Sequence, residues 1–465
     1  MRRPRRPTGE GQSVRQTTTH ISVRGACEHN LRNIDLDLPH DQLVVFTGVS
    51  GSGKSSLIYE TLFRESQRRH VASLPLHLRA LFGGLTRPKA DTLDGLRPAI
   101  AVQRTGLRSG RRGTVGAITE VLDFLAVLFA RAGEGLEADD VDPRVFLPTS
   151  HRGACPACGG TGTRDEVDLG ALLPDPRRSI SEGAIASTTP TGYVRYSRLT
   201  RPGWLVLASV LGFSLDTPWE ALTPEQRDAV LYGSPGLRQA SSLLSDFGGI
   251  VPTIQAAYRR SPTGLTRRFV RTVTCQDCLG TRLNPEALRV RLGGRTMAEL
   301  QGLTVDACQE FLAGVHFDGS RRRIAEAILP EISLRLGLLV ELGLGYLHLD
   351  RPVDTLSGGE AQRVRLASQV SSGISGVLYV LDEPSVGLHA RDHNRLLGVL
   401  RRLRDLGNTL CVAEHDRSTI LAADYVVDMG PGPADRGGRV VASGPPSAIA
   451  ESTESITGAY LRGAR

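Results

Sequence analysis

The sequence predicts an α/β fold: a parallel sheet carrying phosphate-binding and acidic residues at its strand ends, interrupted by a cysteine-bounded segment. Three observations carry this expectation. The apolar run 43–46 leads into Gly48-Val-Ser-Gly-Ser-Gly53-Lys54-Ser55, a full match to G-x-x-x-x-G-K-[ST], and Ser56-Leu57-Ile58-Tyr59 continues it as a helix. A second apolar run, 377–381, ends in Asp382-Glu383, so a buried strand delivers two carboxylates to its C-terminal edge. Cys155-Pro-Ala-Cys158 and Cys275-Gln-Asp-Cys278 bracket everything between them.

The phosphate loop is the most specific of the three. Its glycines, Gly48, Gly51 and Gly53, and its serines, Ser50, Ser52, Ser55 and Ser56, let backbone N–H groups wrap phosphate oxygens. Lys54 reaches the terminal phosphates and the Ser55 hydroxyl serves Mg²⁺. Lys54 is one of only two lysines in the chain, the other being Lys89, whereas arginine is used nearly everywhere else. The loop lysine therefore reads as chemically required. ATP and Mg²⁺ are the ligands this pattern implies.

Residues 356–360, Leu-Ser-Gly-Gly-Glu, open a segment with Val364, Ala367 and Val370 at helical spacing. Ser357, Gly358 and Gly359 stand at a helix N-terminus, where free N–H groups favour an anion. Ser357 with Glu360 equally fits a plain capping box. Asp382 can hold Mg²⁺ through water and Glu383 can polarise an attacking water. After the run 410–413 comes Glu414-His415-Asp416, placing His415 at another strand end where it can meet a terminal phosphate; a structural histidine is the alternative. In this order the motifs resemble those of ABC-type ATPases. In that family the Leu-Ser-Gly-Gly-Glu of one cassette covers the ATP held by another, so a chain with one of each is expected to pair with a second copy.

Gln103 ends the short strand-like run 98–102 and is the candidate for the family's Mg²⁺- and water-contacting glutamine, with Arg104 as the competing position. Arg104, Arg108, Arg111 and Arg112 follow in a glycine-rich loop that either contacts an anion or is merely exposed, and residues 118–130 read as a helix. The two cysteine pairs lie far beyond the roughly 12–20 residues of a simple finger. Their flanks are alike, each continuing to Gly-Thr, which argues for one Cys₄ zinc site rather than disulfides. Cys27, Cys308 and Cys411 read as core residues. Between the knuckles, Trp204, Leu205, Leu207, Val210, Leu211 and Phe213 supply an apolar set. Arg259, Arg260, Arg267, Arg268 and Arg271, interleaved with Tyr193, Tyr196 and Tyr258, suit a sequence-tolerant DNA surface or a solvated basic face.

The segments VRGACEHNLRNIDLDLP, TGVSGSGKSSL, RGACPACGGTG, CQDCLGTRLNPEAL, LSGGEAQRVRLAS and LYVLDEPSVGLH closely resemble the UvrA family, whose members recognise damaged DNA for the bacterial UvrABC excinuclease. The resemblance runs from about residue 21 to residue 461. It implies an ABC-type P-loop ATPase fold with a zinc-knuckle signature domain and an inserted DNA-contacting domain. It further implies zinc on Cys155, Cys158, Cys275 and Cys278, double-stranded DNA as partner, and two composite ATP sites in a homodimer. Family members hold two cassettes where this chain holds one. Their UvrB-docking domain follows the segment that here reads 124–132, and only a short acidic link, 134–142, stands in its place. Loading of UvrB is thus in question, and a protective ATPase that counters a DNA-binding natural product without loading UvrB is the alternative. A transporter cassette would not need the cysteine-bounded insertion.

With 465 residues, 40% hydrophobic and 23% charged, the chain is long enough for two or three domains with their own cores. Its net charge of +7 favours a polyanionic partner. No run of about 18 apolar residues occurs and the Arg-rich start lacks an apolar continuation, so no membrane span or signal peptide is expected and a cytoplasmic location is. The expected organisation is a disordered basic arm (1–19), a first part of the ATP-binding core (20–132), a signature-domain entry with the first knuckle (133–163), the insertion (164–274), the second knuckle with the signature helices (275–376), and the rest of the core (377–465).

Overall fold

Strands form where the apolar runs fall. In chain order they are β1 (His20–Ala26), β2 (Ile34–Pro39), β3 (Leu43–Thr47), β4 (Thr92–Asp94), β5 (Ala99–Val102), β6 (Thr163–Val167), β7 (Val270–Thr274), β8 (Arg291–Leu292), β9 (Arg295–Thr296), β10 (Leu378–Asp382), β11 (Thr409–Ala413), β12 (Tyr425–Gly430) and β13 (Arg439–Gly444). The structure, a computed structural model, describes residues 19–79, 84–103, 110, 112–135, 141–189 and 194–463. They divide into two compact units, one of residues 1–152 with 286–465 and one of residues 153–285.

In the first unit, six strands form a sheet in the order β13-β12-β3-β11-β10-β5, parallel except for β13. β3, β10 and β11 are buried nearly throughout, which is why they read as unbroken apolar runs rather than alternating ones. The register aligns Phe46 with Ala413, and Ala413 with Asp382. The ends of β3, β10 and β11 therefore lie side by side at one sheet edge, where ligands of α/β folds collect. A second sheet, β2-β1-β4, is antiparallel and has one wet face: Ile34, Leu36 and Leu38 of β2 point inward while Asp35 and Asp37 are exposed. One apolar cluster joins the two sheets, with Ile21 and Leu38 meeting Phe46, Leu57, Leu378 and Met429.

The helices of this unit include Val121–Ala132, the 23-residue Gly319–Glu341, and Gly358–Ser371. The single helix expected over 118–130 is two. Val115–Ile118 stops, Glu120 adopts a left-handed φ of 60°, and a new helix starts at Val121. Arg335 fastens this corner: it pairs with Glu331 at 2.7 Å and Glu120 at 3.0 Å and lies over the Phe124 ring. Cys308 and Cys411 are buried, but Cys27 is exposed, because the chain leaves β1 at Ala26.

The second unit has its own core, in which Trp204, Leu207, Trp219, Phe247, Ile254 and Phe269 are buried. The ribbon β6–β7 pairs Thr163 with Thr274 and Val167 with Val270. Leu211 and Phe213 pack against this core, whereas Leu205 and Val210 of the same apolar set lie on the wet face of helix Arg201–Leu211. Among the described residues, no helix is long and apolar enough to cross a membrane.

Candidate active site and cysteine cluster

The loop after β3 wraps around its own lysine. Lys54 Nζ donates to the carbonyls of Gly48 at 2.8 Å and Val49 at 3.0 Å. Gly48, Gly51 and Gly53 all have positive φ, and a Cβ on Gly48 would lie 2.0 Å from the Met429 carbonyl oxygen, so no other residue fits there. The Ser52 hydroxyl is buried without a hydrogen-bond partner, while Ser50, Gly51 and Ser55 are exposed along the outer side. An orphaned hydroxyl inside a glycine cradle suits phosphate oxygens. Burial lowers the Lys54 pKa, and the nearby carboxylates of Glu383, Asp382 and Asp428 oppose that shift. The lysine is thus a partly desolvated cation, primed for an anion. Ser56 and Asn30 brace the loop from behind, with Ser56 Oγ donating to Asn30 Oδ1 at 3.0 Å and Asn30 Nδ2 donating to the Gly51 carbonyl at 3.0 Å.

Asp382 ends β10, and Glu383 follows with a left-handed φ of 41° and its N–H donating to the Ala413 carbonyl at 2.9 Å. A non-glycine residue in that region costs backbone energy, which is common where a side chain must be aimed. His415 Nε2 stands 3.4 Å from Glu383 Oε1. A cavity of about 330 Å³ opens here, lined by Gly48, Val49, His415 and Asp428 among others. Two residues to which sequence reasoning gave no role hold these loops in place. The buried Glu414 carboxylate accepts from the Ser385 N–H at 2.9 Å and the His415 N–H at 3.0 Å. Gln362, buried in the helix after the glycines, donates to the carbonyls of Asp382 at 2.9 Å and Val102 at 3.1 Å, tying the ends of β10 and β5 together. Gln103 is half-buried next to that tie, and its carbonyl accepts from Arg365 at 3.0 Å.

The capping-box alternative for Ser357 is realised in full. Ser357 Oγ accepts from the Glu360 N–H at 3.3 Å and Glu360 Oε2 accepts from the Ser357 N–H at 2.7 Å. Tyr346 donates to Glu360 as well, so this carboxylate is committed within the chain. Ser357 itself is exposed and Gly358 and Gly359 are half-buried, forming the open first turn of helix Gly358–Ser371.

In the second unit the four knuckle cysteines converge, with every Sγ within 4.8 Å of the others. Cys158 Sγ and Cys278 Sγ are 3.8 Å apart, and tetrahedral Zn²⁺ with Zn–S bonds of about 2.3 Å sets sulfurs about 3.8 Å from one another. All four are free thiols, too far apart for a disulfide. Burial pushes the Cys158 thiol up, but the N–H groups of Gly162 and Gly160 and the adjacent cysteines outweigh it and bring the pKa to about 7. Donor set and spacing fit zinc.

Comparison with known proteins bears on the whole assembly. Residues 168–271 match the family model of the UvrA DNA-binding domain. The UvrABC system protein A of Mycobacterium bovis is 35% identical over 607 positions, covering 95% of this chain and 62% of the relative. That of Methanothermobacter thermautotrophicus is 34% identical, covering 97% and 63%. The crystal structure of UvrA2 from Deinococcus radiodurans superposes with a TM-score of 0.78 at 35% identity, covering 96% of this chain and 58% of that one. Over nearly its whole length the chain is similar to UvrA proteins.

Its fold is accordingly the ABC-type P-loop ATPase fold of UvrA. The chain spans about 60% of the length of the UvrA relatives it matches. The match runs over 607 positions although this chain has 465 residues, so those UvrA proteins carry internal segments without a counterpart here. The UvrA DNA-binding match contains the arginines noted in sequence. Arg259, Arg260, Arg267, Arg268 and Arg271 are exposed, and Tyr196 and Tyr258 are half-buried against the core. Arg268 lies over the Phe269 ring at 4.5 Å, which fixes its direction. Tyr193, Arg104, Arg108, Arg111 and nearly all of the N-terminal basic arm fall outside the described residues; Arg112 is exposed.

Proposed function

We propose that this UvrA-like chain binds double-stranded DNA and hydrolyses ATP in recognising damaged or distorted duplex for nucleotide excision repair. The observation that carries the reading is the convergence of Lys54, the pair Asp382-Glu383 and His415 at the ends of three neighbouring strands. Lys54 and the N–H groups of 48–56 hold the phosphates, while Ser55 and Asp382 hold Mg²⁺, which neutralises developing charge on the transferred group. Glu383 accepts the proton of the attacking water. His415, and Gln103 at the end of β5, orient that water.

The site is completed by a second copy. Ser357, Gly358, Gly359 and Glu360 of one chain cover the ATP held by the other, giving two composite sites in a homodimer. Zn²⁺ on Cys155, Cys158, Cys275 and Cys278 fixes the base of the inserted unit, whose arginines follow the DNA backbone. A cytoplasmic location goes with this role. ATPase rate measured beside binding to a lesion-containing duplex and its undamaged twin, at two salt concentrations, tests the reading. Preference for the lesion that persists at higher salt, with DNA-responsive hydrolysis, supports it; equal and steeply salt-sensitive binding overturns damage recognition.

The internal segments present in the UvrA relatives and missing here favour a second reading, a protective ATPase that counters a DNA-bound natural product without loading UvrB. Binding to a drug–DNA adduct that displaces the drug, with no complex formed on adding UvrB, would place this reading first.

A further inference from the structure

The Tyr59 hydroxyl is buried and has no hydrogen-bond partner. Tyr59 lies in helix Ser56–Phe63, directly behind the phosphate loop, and only 8% of it is exposed. That helix packs on β5 and β10, the strands that end near Gln103 and in Asp382. Tyr59 shares one apolar cluster with Leu378 and Val380, and Asp382, two residues further along β10, lies on that same face of the strand; burial, and after it the negative charge of Asp382, raises the pKa of the phenol. The hydroxyl of Tyr379 is also buried and unpartnered, but it lies on the other face of β10 from Leu378 and Val380 and is shifted by burial alone. Packing at position 59 would be met by phenylalanine. A buried hydroxyl kept at a cost to stability, beside an acid at a ligand edge, calls for a ligand-bound partner.

We infer that Tyr59 is a positioning residue whose hydroxyl becomes a hydrogen-bond donor to the Asp382 carboxylate when Mg²⁺–nucleotide occupies the loop. The inference rests on the reading of Asp382 as the residue that holds Mg²⁺. One added donor fixes one rotamer of that carboxylate, so the effect falls on metal-dependent binding and not on phosphate contacts made by the loop itself.

The test is Tyr59→Phe in the full chain, comparing ADP binding across a Mg²⁺ series and in EDTA, with melting temperature measured without ligand. The expected result is Mg²⁺-dependent affinity weakened about 3- to 10-fold, unchanged binding in EDTA, and an unliganded melting temperature raised by about 1–4 °C. Unchanged Mg²⁺ dependence, an equal loss in EDTA, or an unliganded melting temperature that stays or falls each overturns the inference while leaving the Mg²⁺ reading of Asp382 standing. Wild-type protein that binds ADP no better with Mg²⁺ than without overturns both.

Discussion

His415 Nε2 lies 3.4 Å from Glu383 Oε1, and the backbones that carry them are joined by the Glu383 N–H to Ala413 carbonyl bond. The two side chains thus reach the loop edge from adjacent strands as a preset pair. Glu383→Gln keeps the shape and removes the base. Hydrolysis should fall at least about 100-fold with nucleotide affinity nearly unchanged. Steady-state ATPase and equilibrium nucleotide binding on the same preparation check this, and unchanged turnover removes Glu383 from the role.

The four thiols sit in a unit with its own core, apart from the residues of the phosphate loop. Metal analysis should find one zinc per chain. Cys275→Ser should lose it and loosen residues 153–285, read as faster hydrogen exchange there, while nucleotide binding persists. Loss of both together would mean that the units are not independent.

Arg259 and Arg260 end helix Ile250–Arg260 and are exposed. If they meet phosphates, changing either to alanine should weaken DNA binding across sequences alike and lower the slope of log affinity against log salt by about one. A titration over several salt concentrations measures that slope; an unaltered slope makes this face a solvated one.

Glu65 is buried with Arg68 at 2.7 Å and Arg69 at 2.8 Å. The Arg68 hydrogen bond leads the causes that outweigh burial and bring its pKa from 4.5 to about 2. A depressed carboxylate pKa contributes stability that is present above the unfolded value and lost as pH falls from about 4.5 toward about 2. Glu65→Gln should therefore cost about 2 kcal/mol at neutral pH. The gap to wild type should narrow below pH 4.5, as denaturant midpoints along a pH series will show.

The loop edge was legible because β3, β10 and β11 are buried nearly throughout and lead into residues with narrow chemical uses, Lys54 and Asp382 above all. What could not be read were features set by tertiary contact. Gln362 looks like an ordinary polar helix residue until β5 and β10 are seen to end on either side of it. Glu120 breaks a helix that its neighbours' apolar spacing would continue, and Arg335, more than two hundred residues away, secures the break. Leu205 and Val210 were grouped with the other apolar residues of their segment by hydrophobicity alone, whereas the turn of their helix decides which residues face the core. The two cysteine pairs were matched by their flanks, and only the fold could show four sulfurs within 4.8 Å of one another.

β3 lies between β11 and β12, so the strand that precedes the phosphate loop pairs with segments made about 360 residues later. At translation speeds of about 5–20 residues per second, Leu43–Thr47 waits about 20–70 s for its first sheet neighbour. The antiparallel sheet β2-β1-β4 needs no such wait, and the second unit, closed by the β6–β7 ribbon, is complete on the ribosome before β10 is made. The nascent chain therefore carries a finished cysteine-bearing unit while β3, buried throughout in the finished fold, is still unpaired. That interval is when the chain exposes an apolar strand with both edges unpaired, the condition under which nascent chains aggregate.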